Sequence, residues 1–174
     1  MKKYINIWEY AGHILEATDK GVLMTTAADG ETDTMAIGWG TMGNQWHKPM
    51  YIAFVRRSRH TKELLDKSGE FTVNIPWGEY DHSIIGYCGT KSGRDVDKFK
   101  ELGLETVPGE TVGAPAIRQL PLTLECKVIY KQEQDIDAIN EENRKRYYNP
   151  ESPRDCEDYH TAYYGEITAA YILE

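Results

Sequence analysis

Six segments of this 174-residue chain have the composition and alternation of β-strands, and no regular strand–helix–strand order connects them. The clearest is Leu122–Tyr130, in which apolar and polar residues alternate over much of the length. The six segments are Val22–Ala27, Thr34–Trp39, Met50–Val55, Phe71–Ile75, Leu122–Tyr130 and Gly165–Leu173. Because helical patterns are few, the sequence predicts a mainly β fold, an antiparallel barrel or sheet with a few helices, rather than a doubly wound fold.

Local signals describe the connections between these strands. The pair Asp29-Gly30 predicts a hairpin turn between the first two strands. Residues 103–121 are rich in proline and glycine and are predicted to be mostly loop, whereas 131–158 form a polar, acidic excursion with room for one helix. Helices are predicted at 7–18, Thr61–Lys67, Tyr80–Tyr87 and Val96–Glu101. The length is typical of a single domain, residues 1–174.

The composition argues against several classes of protein. A formal net charge of −8 disfavours generic binding to nucleic acid or to an anionic membrane. No apolar run approaches the roughly 20 residues that span a bilayer, and the first residues are too polar for a signal peptide. The cysteines Cys88, Cys126 and Cys156 form no CxxC pair and indicate reduced thiols in a cytoplasmic protein. The histidine spacing suggests no metal site.

One short run contrasts with this acidic background. Residues 55–62, VRRSRHTK, hold four certain positive charges and no acid, and Ser58 and Thr61 place two hydroxyls among the cations. The run joins a strand-like segment to a helix-like one, and free N–H groups at such a junction suit an anion. Cations at a helix N-terminus oppose the helix dipole, and a bound dianion removes that penalty. The run therefore favours a site for one small phosphate monoester over ordinary surface charge.

Two glycine-containing segments carry weaker signals. Gly38–Gly43 matches GxGxxG, but a dinucleotide fingerprint must open a helix, and residues 44–49 cannot begin a long one. These glycines instead indicate close approach of the backbone to a flat ligand, or a plain turn. Gly89–Arg94 lacks the residue order of a P-loop, which argues against a nucleotide triphosphatase. For that segment a ligand-binding loop and an ordinary flexible loop both remain open.

The chain contains no familiar catalytic pair. The GxSxG motif of one class of hydrolases is missing. Cys88 is most simply a small buried hydrophobe rather than a reactive thiol. His160 lies among aromatic residues just before the last strand, where a hydrogen-bonded core or interface position is the common one. The residues thus indicate binding more clearly than acid–base chemistry.

The order of several short motifs along the chain resembles a known family. The motifs are Met35–Thr41, Lys48-Pro49, Arg56-x-Ser58-Arg59-x-Thr61, Phe71–Asn74, Cys88–Phe99, Leu124–Cys126 and the stretch from His160 to Ile167. This order is similar to that of the flavin reductase-like proteins with an FMN-binding split barrel, and within them to the flavoredoxin-type branch. The resemblance extends from residue 20 to the end of the chain.

The resemblance implies a homodimer of six-stranded antiparallel split barrels, each subunit carrying FMN near the dimer interface. It implies that the backbone of Trp39, Gly40 and Thr41 lies along the isoalloxazine edge, and that His160 lies near the flavin face where a nicotinamide docks. The other residues that it assigns to the cofactor, mainly around the phosphate, are Arg56, Ser58, Arg59, Thr61, Cys88, Gly89, Ser92, Gly93 and Lys98. One departure is Asp33, where the family often has asparagine.

The implied function is that of a flavin-dependent oxidoreductase. Hydride would pass from NADH or NADPH to bound FMN, and electrons would then reach a redox partner protein or a small-molecule acceptor. Backbone N–H groups near 39–41 would hydrogen-bond the pyrimidine edge of the flavin, and His160 would orient the nicotinamide rather than donate protons. An FMN electron carrier without its own NAD(P)H site remains an alternative. A non-catalytic flavin-binding module and an activity like that of pyridoxine-phosphate oxidase are further alternatives.

Overall fold

A computed structural model describes residues 1–149, 151 and 158–174. Pro150 and residues 152–157, which include Cys156, lie outside the described residues, so the predicted excursion at 131–158 is described only in part. The described strands are β1 (Lys2–Tyr4), β2 (Val22–Ala28), β3 (Glu31–Ile37), β4 (Gly40–Gln45), β5 (Lys48–Arg56), β6 (Glu70–Ile75), β7 (Thr106–Val107), β8 (Ala116–Ile117), β9 (Leu122–Glu133) and β10 (His160–Leu173). The described α-helices are α1 (Ile7–Lys20), α2 (His60–Ser68), α3 (Ser83–Thr90), α4 (Lys98–Leu102) and α5 (Glu141–Tyr147), with a 3-10 turn at Ile136–Ala138.

Most of these strands form one antiparallel sheet. Its order is β3-β2-β6-β9-β10-β5-β4, and β1 is added to β10. The long strand β10 pairs with β5 along its first half and with β1 along its last residues, while β9 follows its other edge. The short strands β7 and β8 form a separate ladder. Within the described residues no ladder joins β3 to β4, so the sheet is open between these two strands.

The predicted mainly antiparallel fold with few helices is confirmed. All six predicted strands are present, as β2, β3, β5, β6, β9 and β10. The Asp29-Gly30 hairpin is also correct, because Ala28 pairs with Glu31 across a two-residue turn in which both turn residues have positive φ.

The predicted number of strands is too low, because β1 and β4 also belong to the main sheet. The glycine pattern of 38–43 indicates a turn or a ligand approach, yet β4 begins at Gly40. A two-residue turn at Trp46 and His47, both at positive φ, joins β4 to β5. Tryptophan and histidine are not typical of such turns, so the sequence carries no hairpin signal there. β10 begins at His160 rather than Gly165, and its register shifts at Tyr164/Gly165.

Several helix boundaries also differ from the prediction. α3 occupies Ser83–Thr90 instead of Tyr80–Tyr87, and it includes Gly89, the first residue of the segment for which the sequence leaves a flexible loop open. α4 begins at Lys98 because the Asp97 carboxylate accepts a hydrogen bond from the Lys100 N–H at 3.0 Å, a standard N-cap. The predicted loop at 103–121 contains the β7–β8 ladder.

The core holds the elements that surround the site. A main hydrophobic cluster joins α1 to the sheet and includes the fully buried Ile14, Tyr51 and Phe71, and a second cluster includes Leu23 and Cys88. At one end of the sheet, β5 ends at Arg56, β10 begins at His160, and these two residues pair across the ladder. Within the described part of the chain, no helix combines the length and the apolar character that crossing a bilayer requires.

Candidate functional site

A cavity of about 190 Å³ lies where β3 ends, beside β5 and the start of β10. We call it the aromatic cavity. Its apolar and aromatic lining residues are Met35, Ala36, Ile37, Gly38, Trp39 and Phe54. Arg56, Arg59 and His160 also line it. A cavity that combines apolar and aromatic side chains with polar groups suits a flat ring system that carries polar atoms at its edge.

A second cavity, of about 200 Å³, adjoins the first and shares Met35 and Arg59 with it. We call it the basic cavity. It brings together the basic run and the glycine-containing loop, which are separate signals in the sequence. Its other lining residues are Asp33, Ser58, His60, Thr61, Lys91, Ser92, Gly93, Arg94 and Lys98. Lysine and arginine outnumber carboxylates on these walls, so the local charge favours an anion.

Asp33 lies at the edge of the basic cavity and is almost fully buried. Its carboxylate accepts hydrogen bonds from the Thr61 hydroxyl at 2.6 Å and from the Lys98 ammonium at 3.0 Å. Lys98 is equally buried and also donates to the Thr34 carbonyl at 2.5 Å. Gly93 packs so closely that a Cβ there would lie 2.5 Å from Asp33 Oδ1. One carboxylate therefore links α2 and α4 to β3, and the loop before α4 packs against it.

A second carboxylate, that of Asp158, is bound to Ser58, one of the residues that line the basic cavity. Its two oxygens accept hydrogen bonds from the backbone N–H of Ser58 at 2.8 Å and from the Ser58 hydroxyl at 2.7 Å. Arg56 Nη1 lies 3.8 Å from Asp158 Oδ2. The serine that the resemblance assigns to a phosphate is thus hydrogen-bonded to a carboxylate of this chain.

Three further basic residues of this cavity are tied to the backbone or to surface acids. Arg59 donates to the Gly89 carbonyl at 3.2 Å, and Arg94 donates to the Ser58 carbonyl at 3.0 Å and to Glu63 at 2.5 Å. Burial alone lowers the pKa of His60, but hydrogen bonds to Glu31 and Glu63 outweigh it and raise that pKa above its usual value. These contacts hold the walls of the basic cavity in place.

His160 presents a neutral ring to the aromatic cavity. Burial, with a smaller contribution from the Arg56 cation, lowers its pKa to about 4. The Tyr148 hydroxyl lies 2.6 Å from His160 Nδ1 and donates its own proton to Gln134 at 2.7 Å. The tyrosine oxygen therefore accepts from Nδ1–H, and this tautomer leaves Nε2 as a hydrogen-bond acceptor.

Trp39 stands beside His160 and is one of the more exposed large side chains of the described residues. The two ring centroids are 4.7 Å apart, and Tyr147 of α5 contacts Trp39 edge-on at 5.0 Å. Such offset and edge-on arrangements are the preferred geometries of aromatic pairs. Trp39 is thus positioned by neighbours while part of its surface stays accessible at the cavity.

The structure brings most of the residues assigned by sequence to the two cavities. Those that line one or both of them are Trp39, Arg56, Ser58, Arg59, Thr61, Ser92, Gly93, Lys98 and His160. Gly40, Thr41, Cys88 and Gly89 line neither. A Cβ on Gly40 would lie 2.5 Å from the Tyr51 hydroxyl, so packing against Tyr51 explains this glycine. Burial raises the pKa of Cys88 to about 11, which argues against a reactive thiolate.

Several residues of the site carry no functional signal in the sequence. Met35 through Gly38 read as an ordinary apolar strand, and Phe54 as core, although all of them line the aromatic cavity. Tyr148 and Asp158 belong to the acidic stretch that indicates a solvated surface. Lys91 and Arg94 lie in the loop whose role the sequence leaves open. Their placement depends on contacts between segments that are distant in the chain.

Comparison with known proteins identifies the family. The flavin reductase like domain matches residues 16–174, and the chain therefore belongs to the flavin reductase-like family. The open antiparallel sheet is accordingly the split barrel of that family, as the sequence predicts.

Individual relatives agree with this assignment. Flavoredoxin of Desulfovibrio vulgaris (Miyazaki F) has a TM-score of 0.65 and 27% identity, covering 88% of this chain and 69% of that one. Flavoredoxin from Methanosarcina acetivorans has a TM-score of 0.64 and 30% identity, with coverage of 88% and 68%. The Escherichia coli (strain K12) protein described as "Uncharacterized protein YddH" is 32% identical over 96 residues, which are 55% of this chain and 50% of the relative. The chain spans about half the length of the curated relatives it matches.

Proposed function

We propose that this protein is an FMN-binding oxidoreductase that takes hydride from NADH or NADPH and passes the electrons to a separate acceptor. The observation that carries the proposal is the pair of adjoining cavities, one aromatic and one basic, which share Met35 and Arg59. FMN has the matching parts, a flat ring system joined by a short polyol to one phosphate. Membership of the flavin reductase-like family supports a flavin rather than another mononucleotide.

The residues present fit this cofactor. Trp39 and Phe54 offer aromatic and apolar surface for the ring, and Arg56 and Arg59 border the same cavity. The basic cavity offers the Lys91, Arg94 and Arg59 side chains, with hydroxyls nearby, for a phosphate dianion. When bound there, FMN would supply the redox chemistry, because it accepts two electrons with a proton and can release the electrons singly.

His160 is suited to positioning a nicotinamide rather than to moving protons. With a pKa of about 4 its ring is neutral at physiological pH, so Nε2, the nitrogen not bonded to Tyr148, carries no proton to give near pH 7. Its Nε2 acceptor matches the N–H donors of a carboxamide group. Tyr148 and Trp39 hold the ring in one orientation. This role agrees with a site in which binding geometry, not acid–base catalysis, contributes most of the rate.

The proposed test begins with the recombinant protein and added FMN. Quenching of flavin fluorescence measures binding, and rapid mixing with NADH and then NADPH under nitrogen measures reduction as loss of the visible flavin absorption. We expect saturable FMN binding and reduction by at least one of the two donors. Binding without reduction by either donor would favour the electron-carrier alternative, and no flavin binding would contradict the proposal.

Arg59→Ala is the sharpest variant for the binding step. Because Arg59 lines both cavities, its loss should weaken FMN binding by up to about tenfold, a typical value for one charge-assisted contact. Arg118→Ala is the matched control, since Arg118 pairs with Glu105 on the surface and lines neither cavity. Equal FMN affinity in the Arg59 variant and in the wild type would contradict the phosphate assignment.

We further propose a homodimer of this chain in the cytoplasm. Exposed Trp46, Ile129 and Tyr130 support a second copy as the partner, since Trp46 contacts Tyr130, and Tyr130 contacts Tyr164 at 4.9 Å. Light scattering during gel filtration tests this. A monomer at all concentrations would contradict the proposed dimer and leave the cofactor proposal intact.

A further inference from the structure

We propose that Asp158 competes with the ligand's phosphate for Ser58 and Arg56, and that the flavin is therefore held exchangeably, as a co-substrate, rather than as a permanently bound group. This inference rests on the proposed function. It concerns how tightly this site holds a phosphate, and it assigns to Asp158 the role of setting that affinity.

The contacts of Asp158 are those of a bound anion. Oδ1 accepts from the Ser58 N–H and Oδ2 from the Ser58 hydroxyl, and Arg56 Nη1 lies 3.8 Å from Oδ2. A backbone amide and a hydroxyl donate to the carboxylate, and a guanidinium lies at ion-pair distance; a phosphate takes the same kinds of neighbour. The side chain is only 11% exposed, so the carboxylate is held in the site rather than extended into water.

The backbone around Asp158 fixes it there. The next residue, Tyr159, accepts a hydrogen bond through its carbonyl from the Arg57 N–H at 3.1 Å. Its ring also lies 5.6 Å from the Arg57 guanidinium. His160 follows and pairs with Arg56 in the β10–β5 ladder. These contacts of Tyr159 and His160 are sufficient to place the carboxylate beside Ser58.

If a phosphate shares these donors with the carboxylate, binding becomes less favourable. Ser58 has one N–H and one hydroxyl proton, and both are used. Two anions on the same donors also repel each other. A phosphate must therefore displace Asp158, or bind only to the other walls of the basic cavity. In both cases the phosphate contributes less binding free energy than it would if Asp158 were not bound to Ser58.

Asp33, the other carboxylate at the basic cavity, differs in this respect. It is buried and is compensated by Lys98 at 3.0 Å. Displacing it would leave a buried charge without a partner, so it is part of the wall. Asp158 instead bonds an exposed serine, so a phosphate that displaces its carboxylate turns it towards water rather than leaving it in the interior. Of these two described carboxylates, competition is therefore assigned to Asp158.

The experiment compares FMN with riboflavin, which lacks only the phosphate. Fluorescence titration of the full chain yields the dissociation constants, and their ratio isolates the contribution of the phosphate. For the wild type we expect a ratio within about tenfold, and loss of FMN on desalting. In Asp158→Asn we expect the ratio to rise by about tenfold, with riboflavin affinity unchanged, because a neutral amide is a weaker acceptor than a carboxylate.

Asp137→Asn is the matched control. Asp137 lies in the same part of the sequence, is 90% exposed, and is 3.7 Å from Arg144, away from both cavities. This variant removes the same charge and should leave the ratio unchanged. An equal increase in both variants would mean a general charge effect and would overturn the assignment to Asp158.

The other outcomes are equally decisive. An unchanged or lower ratio in Asp158→Asn would show that Asp158 is structural, while FMN binding by the wild type would preserve the proposed function. If Asp158→Asn fails to fold, the wild-type ratio decides, since a preference for FMN of clearly more than about tenfold would contradict competition. If the wild type binds neither flavin, the proposed function and this inference both fail.

Discussion

Among the described residues, two carboxylates are almost fully buried, and they are held in different ways. Glu125 on β9 accepts from the backbone N–H groups of Glu110 and Thr111 and from the hydroxyls of Thr111 and Tyr171, all at 2.7–3.1 Å. Asp33 on β3 accepts instead from the Lys98 ammonium and the Thr61 hydroxyl.

This difference indicates that Glu125 has a structural role, whereas Asp33 forms part of the site. None of the donors to Glu125 lines either cavity, and they attach the loop at 110–111 to the sheet. Both donors to Asp33 line the basic cavity. A buried carboxylate is costly unless its acceptors are satisfied, so each position must be filled by donors of some kind. Backbone donors bind the carboxylate to the fold, whereas side-chain donors from other segments can also face a ligand.

Glu125→Ala should cause the largest loss of stability. It leaves two backbone N–H groups and two hydroxyls without their acceptor, and we expect a loss of about 5 kcal/mol in the free energy of unfolding. Urea denaturation measures this loss. Glu133→Ala on the same strand is the control, since its exposed pair with Arg57 is worth less than about 1 kcal/mol. The Glu125→Ala protein that does fold should bind FMN with wild-type affinity. A loss of FMN affinity in folded protein would contradict a purely structural role for Glu125.

Lys98→Met should affect both stability and binding. Removing the partner of buried Asp33 costs about 4 kcal/mol and withdraws a wall of the basic cavity. Denaturation and FMN titration measure the two effects, and Lys100→Met, on the exposed side of the same helix, is the control. The double variant Asp33→Asn/Lys98→Met should recover stability, because no uncompensated charge remains, but not FMN affinity. Wild-type FMN affinity in Lys98→Met would show that Asp33 and Lys98 are structural like Glu125 and do not contribute to cofactor binding.

The two regions should also lose stability in different pH ranges. At the cavities the pKa of His160 is lowered from 6.5 to about 4. The unfolded chain thus binds more protons in this range, and up to about 3 kcal/mol of stability is present above pH 6.5 and lost as the pH falls towards 4. Burial of Glu125 raises its pKa, but the hydrogen bonds outweigh this and lower it below 4.5, so its contribution is lost only at lower pH.

Unfolding midpoints measured across this range check the order. His160→Gln, which stays neutral, should remove most of the pH dependence between 6.5 and 4. His60→Gln is an informative contrast, because the raised pKa of His60 contributes stability at low pH that is lost as the pH rises. Unchanged pH dependence in His160→Gln would contradict the neutral state assigned to this ring.

The elements that sequence predicts well have strong local signals. The alternation in Leu122–Tyr130 and the Asp29-Gly30 turn depend on residues that are neighbours in the chain. β4 is missed because its glycines and the Trp46-His47 turn carry no such signal. Gly165 resembles the start of a strand, but it lies inside β10, where a Cβ would come within 2.6 Å of the Phe71 ring. That requirement comes from a strand distant in sequence.

For the site, the sequence predicts which residue types bind an anion, but it does not predict which residues contact one another. The basic run predicts an anion site, and the basic cavity does contain Ser58, Arg59 and Thr61. The sequence does not predict that Thr61 donates to Asp33 or that Ser58 donates to Asp158. A hydroxyl's partner is chosen by whichever acceptor lies within about 3 Å in the folded chain, and spacing along the sequence does not specify it.

The amino-acid sequence alone determined the strand pattern, the anion-binding chemistry of residues 56–62 and the family resemblance, because these depend on residue types and short spacings. Only the tertiary structure decided that Asp158, 100 residues from Ser58, takes its donors, and that Glu125 is an anchor while Asp33 is a wall of the site. The reason is physical: the cost of burying a carboxylate depends on which donors surround it, and the packing of distant segments selects those donors.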